Sequence, residues 1–348
     1  MTEPTPVIPD QDHLSMVLFG HAAFQYLHAG CELGLFRLLH RRPGLDRQAL
    51  GEELGLPERP ASILLFGTTS LRLVERTDDT YRNGAVINAL MTTGQWTAFE
   101  AAVEFEAHIN YGGLQDFSAS LKENSNIGLR RIPGEGPTLY HRLSQNQELN
   151  EVFFHYMHSW SDMVNRHLIE MVDFSRVHRM LDVGGGDGVN AIALASAFPH
   201  LRVTVLELTD VVPRAQRQII AAGVEDRVRA VAGDMFVGLP TGHDCMLFAH
   251  QVQIWPVEKN IELFCKAHAA LSAGGQVIVT NSMASDSGDG PLYAALDSAY
   301  FAAIPGGGGM VYSWGQIEEC LHKAGFSTVE RIRPEQAWTP LGIIRGIK

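Results

Sequence analysis

Met180-Leu-Asp-Val-Gly-Gly-Gly-Asp-Gly-Val-Asn190 decides how the rest of this chain is read. Leu181 and Val183 suit a buried parallel strand, Gly184, Gly186 and Gly188 permit a tight turn, and residues 191–197 continue as a helix. A strand, a bend of bare backbone and a helix N-terminus together make a cradle for a nucleotide-like ligand. The dinucleotide fingerprint G-x-G-x-x-G would need its third glycine at Val189, so the pattern here is G-x-G-x-G and disfavours NAD.

Downstream, a second apolar strand over Leu201 to Leu206 closes with Glu207 and Leu208, and Glu207 lies 23 residues beyond Gly184. A carboxylate at that strand end suits the two ribose hydroxyls of an adenosine. A third strand, Val228 to Ala232, runs into Gly233-Asp234-Met235-Phe236, where an Asp beside apolar side chains suits an adenine. With Asp182 in the first strand, these signals resemble the S-adenosylmethionine site of class I methyltransferases. The whole chain resembles the two-domain small-molecule O-methyltransferase family, which includes plant phenolic and bacterial antibiotic-pathway enzymes. That resemblance implies an α/β fold, a Rossmann-like seven-stranded sheet with an N-terminal, mostly helical winged-helix dimerisation domain. It also implies S-adenosyl-L-methionine as cofactor and S-adenosyl-L-homocysteine as product. Its motifs are specific in the C-terminal half and looser before residue 100.

With 348 residues and 45% hydrophobic content the chain can bury a large core and form two domains. A net charge of −12 disfavours nucleic acid as partner, because such binding rests on Lys and Arg neutralising phosphates. No apolar run of about 18 residues occurs, and the opening Met-Thr-Glu-Pro-Thr-Pro lacks the basic and apolar regions of a signal peptide. The expectation is a cytoplasmic protein with no membrane partner. Cys31, Cys245, Cys265 and Cys320 sit in apolar settings without a C-x-x-C, and read as reduced core residues.

From the N-terminus, residues 1–12 read as a disordered lead-in, and residues 12–41 as two helices meeting at a break around Gly30 to Gly34. Leu45 to Leu56 and Pro60 to Leu73 read as short helices, and Leu73 to Arg82 as a hairpin turning at Asp78-Asp79. The shape implied is helix-turn-helix-wing, but Arg59 and Arg72 are too few cations for a DNA-reading helix. In the family resembled, such a domain mediates homodimerisation. The expected division is 1–100 for this domain, 101–178 for a helical connector contributing to the substrate pocket, and 179–348 for the cofactor domain. Within the connector the helices are expected to break at Gly112-Gly113 and across residues 128–137, where Arg130 and Arg131 offer guanidinium forks for a substrate carboxylate. Phe153-Phe-His-Tyr-Met-His-Ser-Trp-Ser161 resembles the helix preceding the glycine loop in that family, which gives Met157 a place near the cofactor. His155 and His158 are candidates to face a pocket. Later strands are expected over residues 243–249, 275–281, 327–333 and 341–347, the last two joined by a turn, with a helix over 257–271.

Ligands of open α/β sheets collect at the carboxyl ends of the strands, which points to Phe248-Ala-His-Gln-Val-Gln-Ile-Trp255. In the O-methyltransferases resembled, this place carries His, Asp and Trp, the His removing a phenolic proton. Here Trp255 remains, but Gln253 and Ile254 replace the other two, and an amide is no base near neutral pH. Three readings follow: methylation on carbon with His250 activating a neighbouring hydroxyl or enol while Gln253 orients the substrate; O-methylation with a base from His250 or the 153–161 stretch; and a cofactor-binding hydroxylase or cyclase. The Phe-Ala-His-Gln run and residues 281–292 resemble the C-methylating branch that acts on amino-acid-derived precursors of peptide antibiotics, which ranks carbon first. Neither His268 nor His322 offers His250 a metal-binding partner, so no metal is expected, and the 2-oxo acid substrates of metal-holding relatives rank below a phenolic amino acid of the 3-hydroxykynurenine or tyrosine kind. Asp297 is a candidate to hold the substrate amine or to orient His250. Phe154, Trp160, Trp255 and Tyr300 are candidates to line a pocket for a small aromatic substrate.

Overall fold

The computed structural model describes residues 10–334 and 341–348. Most of the expected lead-in, residues 1–9, and the connection between the last two strands therefore lie outside the described residues. The chain divides into two units, Met1–Ala107 and His108–Lys348.

The first unit opens with helices Gln11–Leu18, Gly20–Glu32 and Leu35–Arg41. The break expected near Gly30 to Gly34 falls at Leu33-Gly34, with Gly34 left-handed at φ 76°, and a second break at Phe19 makes three helices of the expected two. Strand β1 (Leu45–Asp46) leads into helix Arg47–Leu54, capped where the Asp46 side chain accepts the Ala49 N–H. Helix Glu58–Ser70 follows, then β2 (Val74–Thr77) and β3 (Thr80–Asn83), joined at Asp78, whose φ is 54°. The antiparallel order β1-β3-β2 is the wing. Phe36, Leu39, Leu50, Leu65, Val74 and Ile87 form its core, and buried Asn83 donates its amide to the Phe36 carbonyl at 2.8 Å. The outer face of helix Glu58–Ser70 exposes Ile63 and Phe66, apolar where a DNA-reading helix would be cationic.

In the second unit the expected break at Gly112-Gly113 is absent: the backbone stays wound through Tyr111–Gly113, Leu114–Asp116 and Phe117–Glu123. These glycines serve close packing instead. A Cβ on Gly113 would lie 2.5 Å from Ile304 Cδ1, and one on Gly128 would lie 2.3 Å from the Gly113 carbonyl oxygen. A short 3₁₀ segment, Ile127–Arg131, and helix Leu139–Leu143 lead to the 25-residue helix Gln147–Met171.

The sheet comprises β4 (Arg179–Val183), β5 (Arg202–Glu207), β6 (Val228–Ala232), β7 (His243–Ala249), β8 (Leu271–Ser282), β9 (Thr328–Ile332) and β10 (Leu341–Ile347) in the order β6-β5-β4-β7-β8-β10-β9. The first five are parallel, and β10 runs antiparallel to β8 and β9. Both faces are covered, which is why β4, β5 and β7 read as nearly unbroken apolar runs. On one face Val164 and Leu168 of the long helix pack with Val203, Val205, Leu247 and Ile278; on the other Val183, Phe248 and Val277 pack with Phe264 and Leu321. Parallel strands put the ends of β4 to β7 along one edge, where the glycine loop stands. Three cysteines, Cys31, Cys245 and Cys320, are buried; Cys265, expected in the core, is exposed. Among the described residues no helix is long and apolar enough to cross a membrane.

Candidate active site

Three left-handed glycines shape the loop after β4: Gly184 at φ 66°, Gly186 at 59° and Gly188 at 84°, the last capping helix Val189–Ala197. A side chain at 184 would start 2.4 Å from the amide nitrogen of Gln251, which itself donates to the Gly184 carbonyl at 3.0 Å. Above Gly186 there is open space, with no atom within 4 Å of a Cβ position. The Gly186 N–H donates to Glu207 Oε1 at 3.3 Å, so the loop amide and the carboxylate inferred from spacing are neighbours. The Leu208 N–H donates to the same carboxylate, and the Gly233 N–H to the Glu207 carbonyl at 2.9 Å. Burial raises the Glu207 pKa, opposed by those two side-chain hydrogen bonds. At the end of β6 the Asp234 side chain accepts the Phe236 N–H at 2.8 Å, with Met235 and Phe236 half-buried beside it and Leu208 exposed. Open backbone and a carboxylate within reach of a loop amide fit the adenosine of S-adenosylmethionine.

Two expected assignments change here. Asp182 is fully buried beneath the loop and does not line it: a Cβ on Gly185 would lie 2.5 Å from its Oδ2, and neither carboxyl oxygen has a hydrogen-bond partner among the described residues. Burial first, then the charges of Glu207 and Asp187, push its pKa up to about 7. Trp255, expected to line the acceptor pocket, packs instead against Phe236, its ring edge-on at 4.7 Å, with Lys259 Nζ 5.1 Å over the Phe236 ring. Sequence spacing could not say on which side of β7 it would land.

The acceptor side is built on His250, the residue after β7. Its backbone is left-handed at φ 57°, and its N–H donates to the Thr280 carbonyl at 2.9 Å. The imidazole is buried, its Nε2 has no partner among the described residues, and desolvation lowers its pKa to about 4. Trp160 meets it edge-on at 6.1 Å and stacks on Tyr293 at 5.9 Å, with Tyr156 at 5.9 Å from the Trp160 ring. Gln253 is buried and its amide donates to the Ser282 carbonyl at 3.0 Å, which fixes the side chain. The turn carrying it is backed by the glycine run 306–309: Gly309 N–H donates to the Ile254 carbonyl at 3.1 Å. A Cβ on Gly307 would lie 2.0 Å from the Ile254 oxygen, and one on Gly309 2.1 Å from that of Gln253. Helix Leu292–Ala303 carries Tyr293, half-buried Asp297 one turn later, and buried Tyr300, whose ring lies 4.9 Å from Phe301.

Arg130 and Arg131 do not stand open for a substrate. Both forks close on buried Asp116, Arg130 at 3.0 and 2.6 Å and Arg131 at 2.8 and 3.3 Å, and hold its carboxyl well below the usual range. Phe154 is likewise engaged, under the guanidinium of Arg214 at 4.3 Å, while Met157 is half-buried on the same helix. Sequence reasoning missed Gln251, Tyr293, Arg214 and the pair in which His158 Nδ1 meets Asp187 Oδ2 at 2.7 Å. The available signal was the spacing of Glu151, Phe154 and His158 along one helix face, together with a charged residue inside a glycine loop.

Comparison with known proteins agrees with this geometry. Residues 114–327 match the family model described as an O-methyltransferase domain. An L-tyrosine C(3)-methyltransferase of Streptomyces lavendulae is 47% identical over 99% of this chain and 95% of its own. A 3-hydroxy-5-methyl-1-naphthoate 3-O-methyltransferase of Streptomyces sahachiroi is 30% identical over 93% of this chain and 91% of its own. The apo crystal structure of the S-adenosylmethionine-dependent methyltransferase SibL superposes with a TM-score of 0.87 at 46% identity, covering 97% of this chain and 99% of that one. With that domain model matching more than half of the chain and relatives this similar over nearly its whole length, the chain belongs to the O-methyltransferase-domain family of S-adenosylmethionine-dependent methyltransferases.

Proposed function

We propose that this enzyme is a cytoplasmic, homodimeric C-methyltransferase of antibiotic-type secondary metabolism, methylating a tyrosine-like phenolic amino acid on the ring carbon ortho to its hydroxyl. The observation that carries the reading is the pairing of an immobilised amide at Gln253 with a buried, neutral imidazole at His250. The base position of the O-methylating enzymes is thus filled by a group without basicity, and the similarity to an L-tyrosine C(3)-methyltransferase supports carbon as the acceptor atom.

S-adenosylmethionine, when bound, supplies an electrophilic methyl group. Glu207 and the Gly186 amide would hold its ribose, and Asp234, Met235, Phe236 and Trp255 its adenine. On the other side Tyr156, Trp160 and Tyr293 offer aromatic surface for the acceptor ring and exclude water. His250 Nε2 accepts the phenolic proton as the ring carbon becomes nucleophilic, and once that carbon carries the methyl its own hydrogen leaves as a proton to the oxygen, restoring the aromatic phenol. With a pKa near 4 the imidazole is in the accepting form across the physiological range. Gln253 fixes the turn beside it. Holding the ring in line with the methyl supplies most of the acceleration expected of such a site.

Incubating the protein with methyl-labelled cofactor and L-tyrosine, 3-hydroxykynurenine and simple phenols is expected to give a product whose label NMR places on an aromatic carbon ortho to the hydroxyl. A methoxy signal would establish O-methylation instead, and no product from any phenol would remove the reading.

The dimer is supported by helix Gln11–Leu18 and the Phe19 that follows it, where Leu14, Met16, Val17, Leu18 and Phe19 are each at least half exposed, an apolar surface that a monomer seldom leaves open. Replacing Leu18 and Phe19 together by Asp is expected to halve the mass seen by light scattering. A wild-type protein already monomeric at that concentration would refute the assignment.

A further inference from the structure

One face of helix Gln147–Met171 carries Glu151, Phe154 and His158 at successive turns, and all three meet the elements that flank the cofactor cradle. Arg214, at the start of helix Val212–Ala221 just beyond Glu207, lays its guanidinium on Phe154 and gives its terminal nitrogens to Glu151 at 3.2 and 2.9 Å. His158 gives Nδ1 to Asp187, whose other oxygen takes the Val189 N–H at 3.4 Å, the first residue of the loop's helix. Each cation is therefore aimed by an acid of its own, and each keeps one donor over. The Arg214 Nε–H is buried with no acceptor among the described residues, while half-exposed His158 bonds through Nδ1, which leaves Nε2 over. A buried donor without an acceptor beside a glycine loop asks for one the protein does not supply, and the His158 imidazole, close enough to feel the Arg214 charge, can share it.

The adenosine requirements of the cradle are met at Glu207, Gly186 and Asp234, so the donors are not needed there. What the cofactor still presents is its amino-acid arm, which ends in a carboxylate. We propose that His158 and Arg214 are the docking point for that carboxylate, with Asp187 and Glu151 acting as positioning residues. This rests on the assignment of S-adenosylmethionine as cofactor. Asp187 raises the His158 pKa through its hydrogen bond, with Asp162 on the same helix adding to the rise and burial and Arg214 opposing it. The imidazolium form, in which Nε2 is a donor, thus persists to higher pH than in a free histidine.

The test uses calorimetry on the intact protein with two probes that differ only in the carboxylate, S-adenosylmethionine and its decarboxylated form. Wild-type protein should prefer the carboxylate-bearing probe by about tenfold or more, as for charge-assisted hydrogen bonds elsewhere. His158→Gln and Arg214→Gln should each weaken S-adenosylmethionine by about tenfold while leaving the decarboxylated probe within about twofold. In the wild type the preference should shrink as pH rises and His158 loses its proton; in His158→Gln it should not change with pH. Equal losses for both probes would mean that the two residues only strap the helix down, and would overturn the proposal, as would equal wild-type affinity for both. Failure of the wild type to bind either probe would instead bring down the cofactor assignment itself.

Discussion

His250→Asn is expected to lower the turnover of a tyrosine-like acceptor by about a thousandfold, within the range for loss of a general base, while leaving affinity for S-adenosylhomocysteine unchanged. Asparagine is the informative replacement because residue 250 is left-handed at φ 57°, a conformation asparagine tolerates and alanine resists. It also keeps the backbone N–H that donates to the Thr280 carbonyl, so the turn leading to Gln253 should stay in place. What disappears is the orphaned Nε2, buried against Trp160. Because burial holds the pKa of His250 near 4, the imidazole is neutral across the physiological range, and the wild-type rate should show no inflection from this group above pH 5 or so. Single-turnover kinetics and calorimetry on the same preparation check both halves. Undiminished turnover moves the base elsewhere; a parallel loss of cofactor affinity would make residue 250 a structural support.

A second large effect is expected on stability. Asp182 has a folded pKa of about 7 against an ordinary value of 3.8, so the unfolded chain releases its proton first as pH rises. Its contribution is therefore most favourable below pH 3.8, falls through the interval up to about 7, and is flat above. The full swing is on the order of 4 kcal/mol. Asp182→Asn removes the titration but keeps the shape. The difference in unfolding free energy, variant minus wild type, should grow by that amount between pH 4 and pH 8 in urea titrations run side by side. Other carboxylates, such as Asp116 and Asp286, are held low by arginines and pull the opposite way with pH, but they are common to both proteins and cancel in the difference. A difference that does not change with pH would show that Asp182 ionises in the folded protein as readily as in the unfolded chain, and would overturn the raised pKa.

The sheet was legible because its strands are buried on both faces and so announce themselves as apolar runs, and the cradle because a strand, three glycines and a distant Glu207 are local signals. Glycine was harder. Gly112-Gly113 reads as a break, yet Gly113 is small because Ile304 and Gly128 crowd it, a reason that lies far away in sequence. The same distance hides partners: nothing near Arg130 and Arg131 in sequence reveals that Asp116 occupies both, and His158 finds Asp187 across 29 positions. Aromatic residues are equally mute about direction. The sequence points Trp255 to the acceptor pocket and does not single out Tyr293, yet the first packs on Phe236 and the second stacks on Trp160 beside His250.

Where residues 307–309 lie along the 253–254 turn, main chain rests on main chain with no side chain between them. Such a seam offers natural variation little to vary: a side chain at Gly307 or Gly309 is a wedge driven under the 253–254 turn. On the acceptor site proposed above, a lineage drifting toward a new substrate therefore finds its latitude at Tyr156, Trp160 and Tyr293 rather than along this seam, and libraries built to redirect the enzyme belong at those three positions.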